Sequence, residues 1–328
     1  MRNSGGYFFN MAETFAKQSI TYQEQIELLK SRGLVFSDDP GNSEDFAIEC
    51  LTHCNYYRLS LYRYPLCEKT DHETFFAGTK FSDLWDIYRF DMELRHLIDE
   101  ICELVEVSVK SVWAYVLSQG YGPFVYYDPN IHSDQKYYSF DDLLTKIDDE
   151  IGKAKKEDFI EHFKNKYDLD RPPIWAIPMV VNFGTFSRLF QSLKHRRDRN
   201  SISRIYGFEE WSFTSLLHHL THVRNYVAHH SRIWNRSFTI IRKLPRKRPR
   251  ILIESLRYED HSNPGDKSYR QIYNTLVLLV YLKKIITPRF DWDKRLFTLL
   301  ETGETKGYLD HMGFPENWKG KEIWSDVK

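Results

Sequence analysis

Leu216, Leu220, Val223 and Val227 recur at i, i+4, i+7 and i+11, the spacing of one face of an α-helix. Two residues out of phase, His218, His222, Asn225 and His229 repeat the same intervals. At about 100° per residue this offset places them roughly opposite the apolar stripe. The pattern predicts a helix from Glu209 or Glu210 to about His229 that buries one side and presents imidazoles and an amide on the other. A longer helical pattern runs from Phe81 to Tyr121 through Leu84, Ile87, Leu94, Ile98, Ile101, Val105 and Val109, with no proline and only Gly120 to interrupt it. It reads as one long helix or two nearly collinear ones with a kink near Asp91.

Shorter helices are expected from Thr21 to Lys30 with Gly33 as the stop, and over Glu44–Cys54, Phe140–Ala154, Glu157–Tyr167, Trp175–Val181, 182–194, Asn200–Arg204 and Ser268–Ile286. Asn55–Leu66, aromatic and basic, reads as a packed strand or turn. Two β-branched runs flank Leu244–Pro249 and predict a short hairpin or extended arm with a basic tip. Residues 1 to about 20 form a lead-in, and the tail carrying Trp292, Trp318 and Trp324 is expected to pack back on the body. The whole is all-α, divided into an N-terminal helical extension (1–75), a helical bundle (76–290) and a C-terminal tail (291–328).

Composition alters this picture little. Hydrophobic residues make up 41% and aromatics 16% of 328 residues, the mix of a folded chain. The four cysteines lack the C-x2-C spacing of a zinc knuckle and read as reduced thiols. No signal-peptide core or membrane-length apolar run is present, so a soluble, cytoplasmic protein is expected. Lys and Arg balance Asp and Glu at 46 each, but residues 191–250 hold 14 Lys and Arg against 3 Asp and Glu. A basic zone around a histidine-rich helix suits a polyanion such as RNA.

The stretch His218–Arg236, HHLTHVRNYVAHHSRIWNR, holds five histidines, three arginines and two asparagines. An imidazole titrates near neutrality and serves either proton-transfer role in phosphodiester cleavage, while an arginine fork stabilises charge on phosphate oxygens. If the helix persists, His229 joins the polar row and His230 turns back toward the apolar stripe. Arg224 lies about 140° around the helix from His229, so the two converge on one phosphate only if the helix ends there or a second protomer contributes. Glu106, on the apolar side of its helix, needs a partner, for which an arginine of the motif helix is a candidate.

Arg224-Asn225 followed by His229 resembles the R-x4-6-H signature of HEPN ribonucleases. The short pattern also occurs at Arg89/His96 and Arg188/His195. Greater weight lies in RNYVAHHSRIWNR, which resembles the Abi-like (abortive infection, AbiD/AbiF-type) family of bacterial phage-defence proteins. TYQEQIELLKSRGL, NYYRLSLY, FDMELR with the helix that follows it, and PPIW…NFGTFSRLF resemble further blocks of that family, with Lys110 standing where the family often has arginine.

The resemblance implies a HEPN-type bundle acting as a bacterial toxin, a metal-independent endoribonuclease leaving 2′,3′-cyclic phosphates, with a composite site in a homodimer and no cofactor. Arg224, Asn225 and His229 are the implied catalytic residues, and His222, His230, Arg232, Asn235 and Arg236 their support. Arg242, Lys243, Arg246, Lys247, Arg248 and Arg250 are expected to bind RNA phosphate, either the substrate or a structured regulatory RNA. The rival readings are a metal held by His218, His222 and His229, and a non-catalytic RNA- or protein-binding scaffold.

Overall fold

The computed structural model describes residues 18–240 and 242–327; the expected lead-in up to residue 17 lies outside them. Two units form, the first ending at Tyr88 and the second beginning at Arg89. No strand appears among the described residues, only isolated bridges, and no helix among them is long and apolar enough to cross a membrane.

In the first unit, Thr21 caps α1 (Tyr22–Ser31) through a reciprocal pair with Glu24, and Ile26 and Leu29 turn inward. Ser43 caps α2 (Glu44–Cys54) by accepting from the Phe46 N–H. Asn55 then turns the chain at φ 66° and its side chain accepts from Tyr57 N at 2.8 Å. The result is the short helix α3 (Tyr56–Ser60) and a 3-10 turn at Tyr64–Leu66; of the strand or turn expected there, no strand forms. Arg32 and Arg63 both reach Glu73, at 2.7 and 3.5 Å. These basic residues are therefore partly neutralised within the unit.

α4 (Phe81–Tyr121) is a single helix of 41 residues, as the absence of interior breakers predicts. In the second unit its Leu94, Ile98, Ile101, Cys102, Val105, Val109, Trp113 and Leu117 form one buried stripe. After it come α5 (Phe140–Lys153), α6 (Asp158–Tyr167), α7 (Ile177–Val180), α8 (Phe183–Ser192), α9 (Arg196–Ser203), α10 (Glu210–Ala228), α11 (Arg250–Ser255), α12 (Tyr273–Ile286) and α13 (Trp292–Thr305). Trp113 meets Phe186 edge-on at 5.8 Å, and Phe213 of α10 packs against Phe190 and Tyr206. Asn182 caps α8 by accepting from Thr185 N, and the buried Glu150 accepts from Asn182 N at 3.0 Å and from the Thr185 hydroxyl at 2.7 Å. This is the local reason for the Asn-Phe-Gly-Thr joint.

One expectation is met only in part. Of the hairpin or extended arm expected for the basic stretch, no hairpin forms among the described residues: 242–249 have neither helix nor strand, and the second β-branched run, Ile251–Ile253, lies in α11. A three-residue propensity is easily overridden by tertiary context. In the C-terminal segment, Trp292 opens the 14-residue α13, and Trp292, Trp318 and Trp324 are all buried, as expected of a segment that packs back.

Candidate functional site at the end of the histidine helix

α10 sorts its side chains as its periodicity predicts. Leu216, Leu220, Val223 and Val227 are at most 3% exposed, while His218, Asn225 and His229 are exposed and His222 is half-buried. The helix ends at His229. His230 takes φ 54°, its N–H donates to Val227 O at 2.9 Å, and Ser231 N–H donates to Tyr226 O at 2.8 Å. These paired bonds are the Schellman closure, which usually places glycine where His230 stands. His230 is therefore an exposed residue in the left-handed region, and it does not turn back onto the apolar stripe as a continued helix would make it.

Arg224 faces α4. Its Nε lies 3.7 Å from Glu106 Oε2. The other oxygen, Oε1, accepts from Lys110 Nζ at 2.5 Å, and Lys110 also donates to Val181 O at 2.6 Å. Lys110 and Glu106 are largely buried, whereas the Arg224 side chain is 39% exposed. The carboxylate thus fixes one edge of the guanidinium, and Arg224 makes no hydrogen bond among the described residues. No hydrogen bond joins Arg224 to His229 among them either.

Residues after α10 are held from within. Asp91, fully buried on α4, accepts from Trp234 N–H at 2.7 Å and from Ile233 N–H at 3.1 Å, and pairs with the buried Arg95. Ile233 and Trp234 are fully buried, and Trp234 Nε1 donates to Tyr308 O at 3.0 Å. The Arg236 guanidinium sits 4.3 Å from the Tyr226 ring centroid, and its Nε donates to Arg232 O at 2.5 Å. Arg236 therefore clamps the helix end. Arg232 and Asn235 are half-buried beside it, Asn235 at φ 49°. Asp91 is the anchor that no motif spacing in the 218–236 stretch reveals.

His219 lies inward of the row. Its Nδ1–H donates to Ile240 O at 2.9 Å, which leaves Nε2 to accept from the Thr275 hydroxyl at 2.9 Å and from Arg242 Nη1 at 3.4 Å. Burial, and then the Arg242 charge, hold this imidazole well below its ordinary range. Burial likewise pushes His132 down to about 4. The unfolded chain takes up these protons near pH 6.5 and the folded chain does not. Stability should therefore fall as pH drops from 6.5 toward 4, by about 1.4 kcal/mol per pH unit for each ring. Urea midpoints at pH 7 and pH 5 check this; His132→Asn should flatten the slope, and an unchanged wild-type midpoint would refute the assignment.

Arg242 departs from its expected role. It is 4% exposed, and burial lowers its guanidinium to about 9. The cause is a two-residue alternation: Phe238, Ile240 and Arg242 turn inward while Ser237, Thr239 and Lys243 are exposed. Ser212 Oγ donates to Lys243 O and Ser215 Oγ accepts from Lys243 N, so this strap is fastened to α10. Arg242 Nε and Nη2 have no hydrogen-bond partner among the described residues. Arg242→Met keeps the volume and removes the charge, so it should raise stability by about 1–2 kcal/mol in urea melts; a loss of that size would show an unrecognised counter-charge. The other basic residues, Lys243, Arg246, Lys247, Arg248 and Arg250, are exposed, and Arg250 pairs with Glu254 at 2.5 Å.

No group of three or more His, Cys, Asp or Glu side chains capable of holding a metal gathers among the described residues. A sequence profile described as Abi-like protein matches residues 49–235. It takes in Asp91, Glu106, Arg224 and His229 and stops before the basic strap and α11. No curated protein and no solved structure matches the chain.

Proposed function

Because the chain belongs to the Abi-like protein family, we propose that it serves abortive infection as a metal-independent endoribonuclease, with Arg224, Asn225 and His229 at its centre. The reading takes the second unit as a HEPN-type bundle and pairs α10 with its copy in a second protomer. In the reaction a 2′-hydroxyl loses its proton to one imidazole and attacks phosphorus. The P–O5′ bond breaks, and the departing oxygen takes a proton from the second imidazole, leaving a 2′,3′-cyclic phosphate and a 5′-hydroxyl. Arg224 holds the non-bridging oxygens as negative charge builds. Asn225, one turn before His229, contacts phosphate or orients the ring.

The observation that carries this reading is that α10 presents both an exposed His229 at its closed end and a half-exposed Arg224 ion-paired to Glu106. The exposed Lys243, Arg246, Lys247, Arg248 and Arg250, on the strap fastened to the first half of α10, supply phosphate affinity. Incubating purified, tag-free protein with RNA in EDTA and identifying the product ends tests the proposal. Cyclic phosphate ends support it, and intact RNA at high protein concentration argues for the second reading, a non-catalytic RNA-binding scaffold built on the same basic stretch.

A further inference from the structure

His218 and His222 stand one helical turn apart on α10 with their Nε2 atoms 3.3 Å from each other. The rings meet nearly edge to face, at 82° and 4.9 Å between centroids. A tetrahedral metal holding two imidazole nitrogens at about 2.0–2.1 Å sets them about 3.3–3.4 Å apart. This contact is an N–H···N hydrogen bond between the rings; a metal would replace the shared proton at nearly the same nitrogen spacing.

We propose that His218 and His222 form a divalent transition-metal site, for an imidazole-preferring ion such as Zn2+ or Ni2+. The protein supplies two ligands and water fills the remaining positions. Imidazole suits these ions, and the backbone of α10 fixes the spacing in advance, so little ordering entropy is lost on binding. His229 lies two further turns along the helix from His222 and is not part of the chelate. The proposed cleavage centre therefore keeps its metal-free chemistry, and the metal site stands or falls separately.

The test is a titration of EDTA-stripped, tag-free full-length protein with Zn2+ alone, and then Ni2+ alone, in the absence of RNA. Wild type should bind one more equivalent than His218→Ala/His222→Ala. Each single variant should weaken that site by at least about tenfold, and His229→Ala should leave it intact. Because metal displaces protons, the site should empty as pH falls below about 6. His218 is exposed and His222 half-buried, so both variants should fold, which circular dichroism checks. Identical binding by wild type and the double variant would overturn the proposal, as would a site lost in His229→Ala but kept in His218→Ala.

Discussion

His229→Ala should reduce RNA cleavage by about 10²–10⁴-fold, the range for loss of a general acid or base, without measurable loss of stability. The ring is exposed and makes no hydrogen bond among the described residues, so truncation removes chemistry and no packing. The His229 backbone N–H still donates to Asn225 O at 3.0 Å, and the helix end is retained. Arg224→Ala should show a comparable loss, about 10²–10³-fold, the magnitude seen when a transition-state hydrogen-bond donor is removed. Glu106 keeps Lys110 in that variant, so its carboxylate is not stranded. Arg224→Lys should rescue little, since a single ammonium does not reproduce the planar fork. Both alanine variants should still bind RNA. Folded variants that cleave like wild type would move the chemistry elsewhere.

The largest effect on stability belongs to Asp91→Ala. It takes the carboxylate from the ion pair with Arg95, 4% exposed, and the acceptor from the N–H groups of Ile233 and Trp234. Breaking a buried ion pair from one side costs about 3–5 kcal/mol, and orphaned amides add to that. A loss of this size in a domain of this length lowers Tm by roughly 10 °C. Asp91→Asn/Arg95→Met restores an acceptor and removes the guanidinium, so it should recover most of the difference. Thermal melts of the three proteins decide the matter; a single alanine variant that melts with wild type would mean Asp91 holds nothing.

Residue patterns disclosed the helices well where a cap or an unbroken period was present. Ser43 marks the start of α2, and the lack of breakers from Phe81 on gives α4 as one piece. The polar and apolar faces of α10 follow from spacing alone. Asn55–Leu66 misleads because aromatic residues favour strands, while Asn55 at positive φ turns the chain into a helical turn. α13 is hidden because three of the four residues in its last turn, Thr302, Gly303 and Thr305, are poor helix formers. Arg242 looked like one more cation in a basic run, but the two-residue alternation from Phe238 carries it inside. The i,i+4 spacing of Asp91 and Arg95 allows their pairing, but the hold of Asp91 on Ile233 and Trp234 is not legible, since those amides lie more than a hundred residues away.

The grip of Asp91 on Ile233 and Trp234 has a genetic consequence. The path of the chain just beyond His229 is set by a carboxylate encoded far upstream, in a different helix. A random screen for loss of function should therefore recover changes at Asp91 and Arg95 alongside those at His229. The two classes should separate by abundance in the cell, with the upstream alleles depleted and the His229 alleles present at full level.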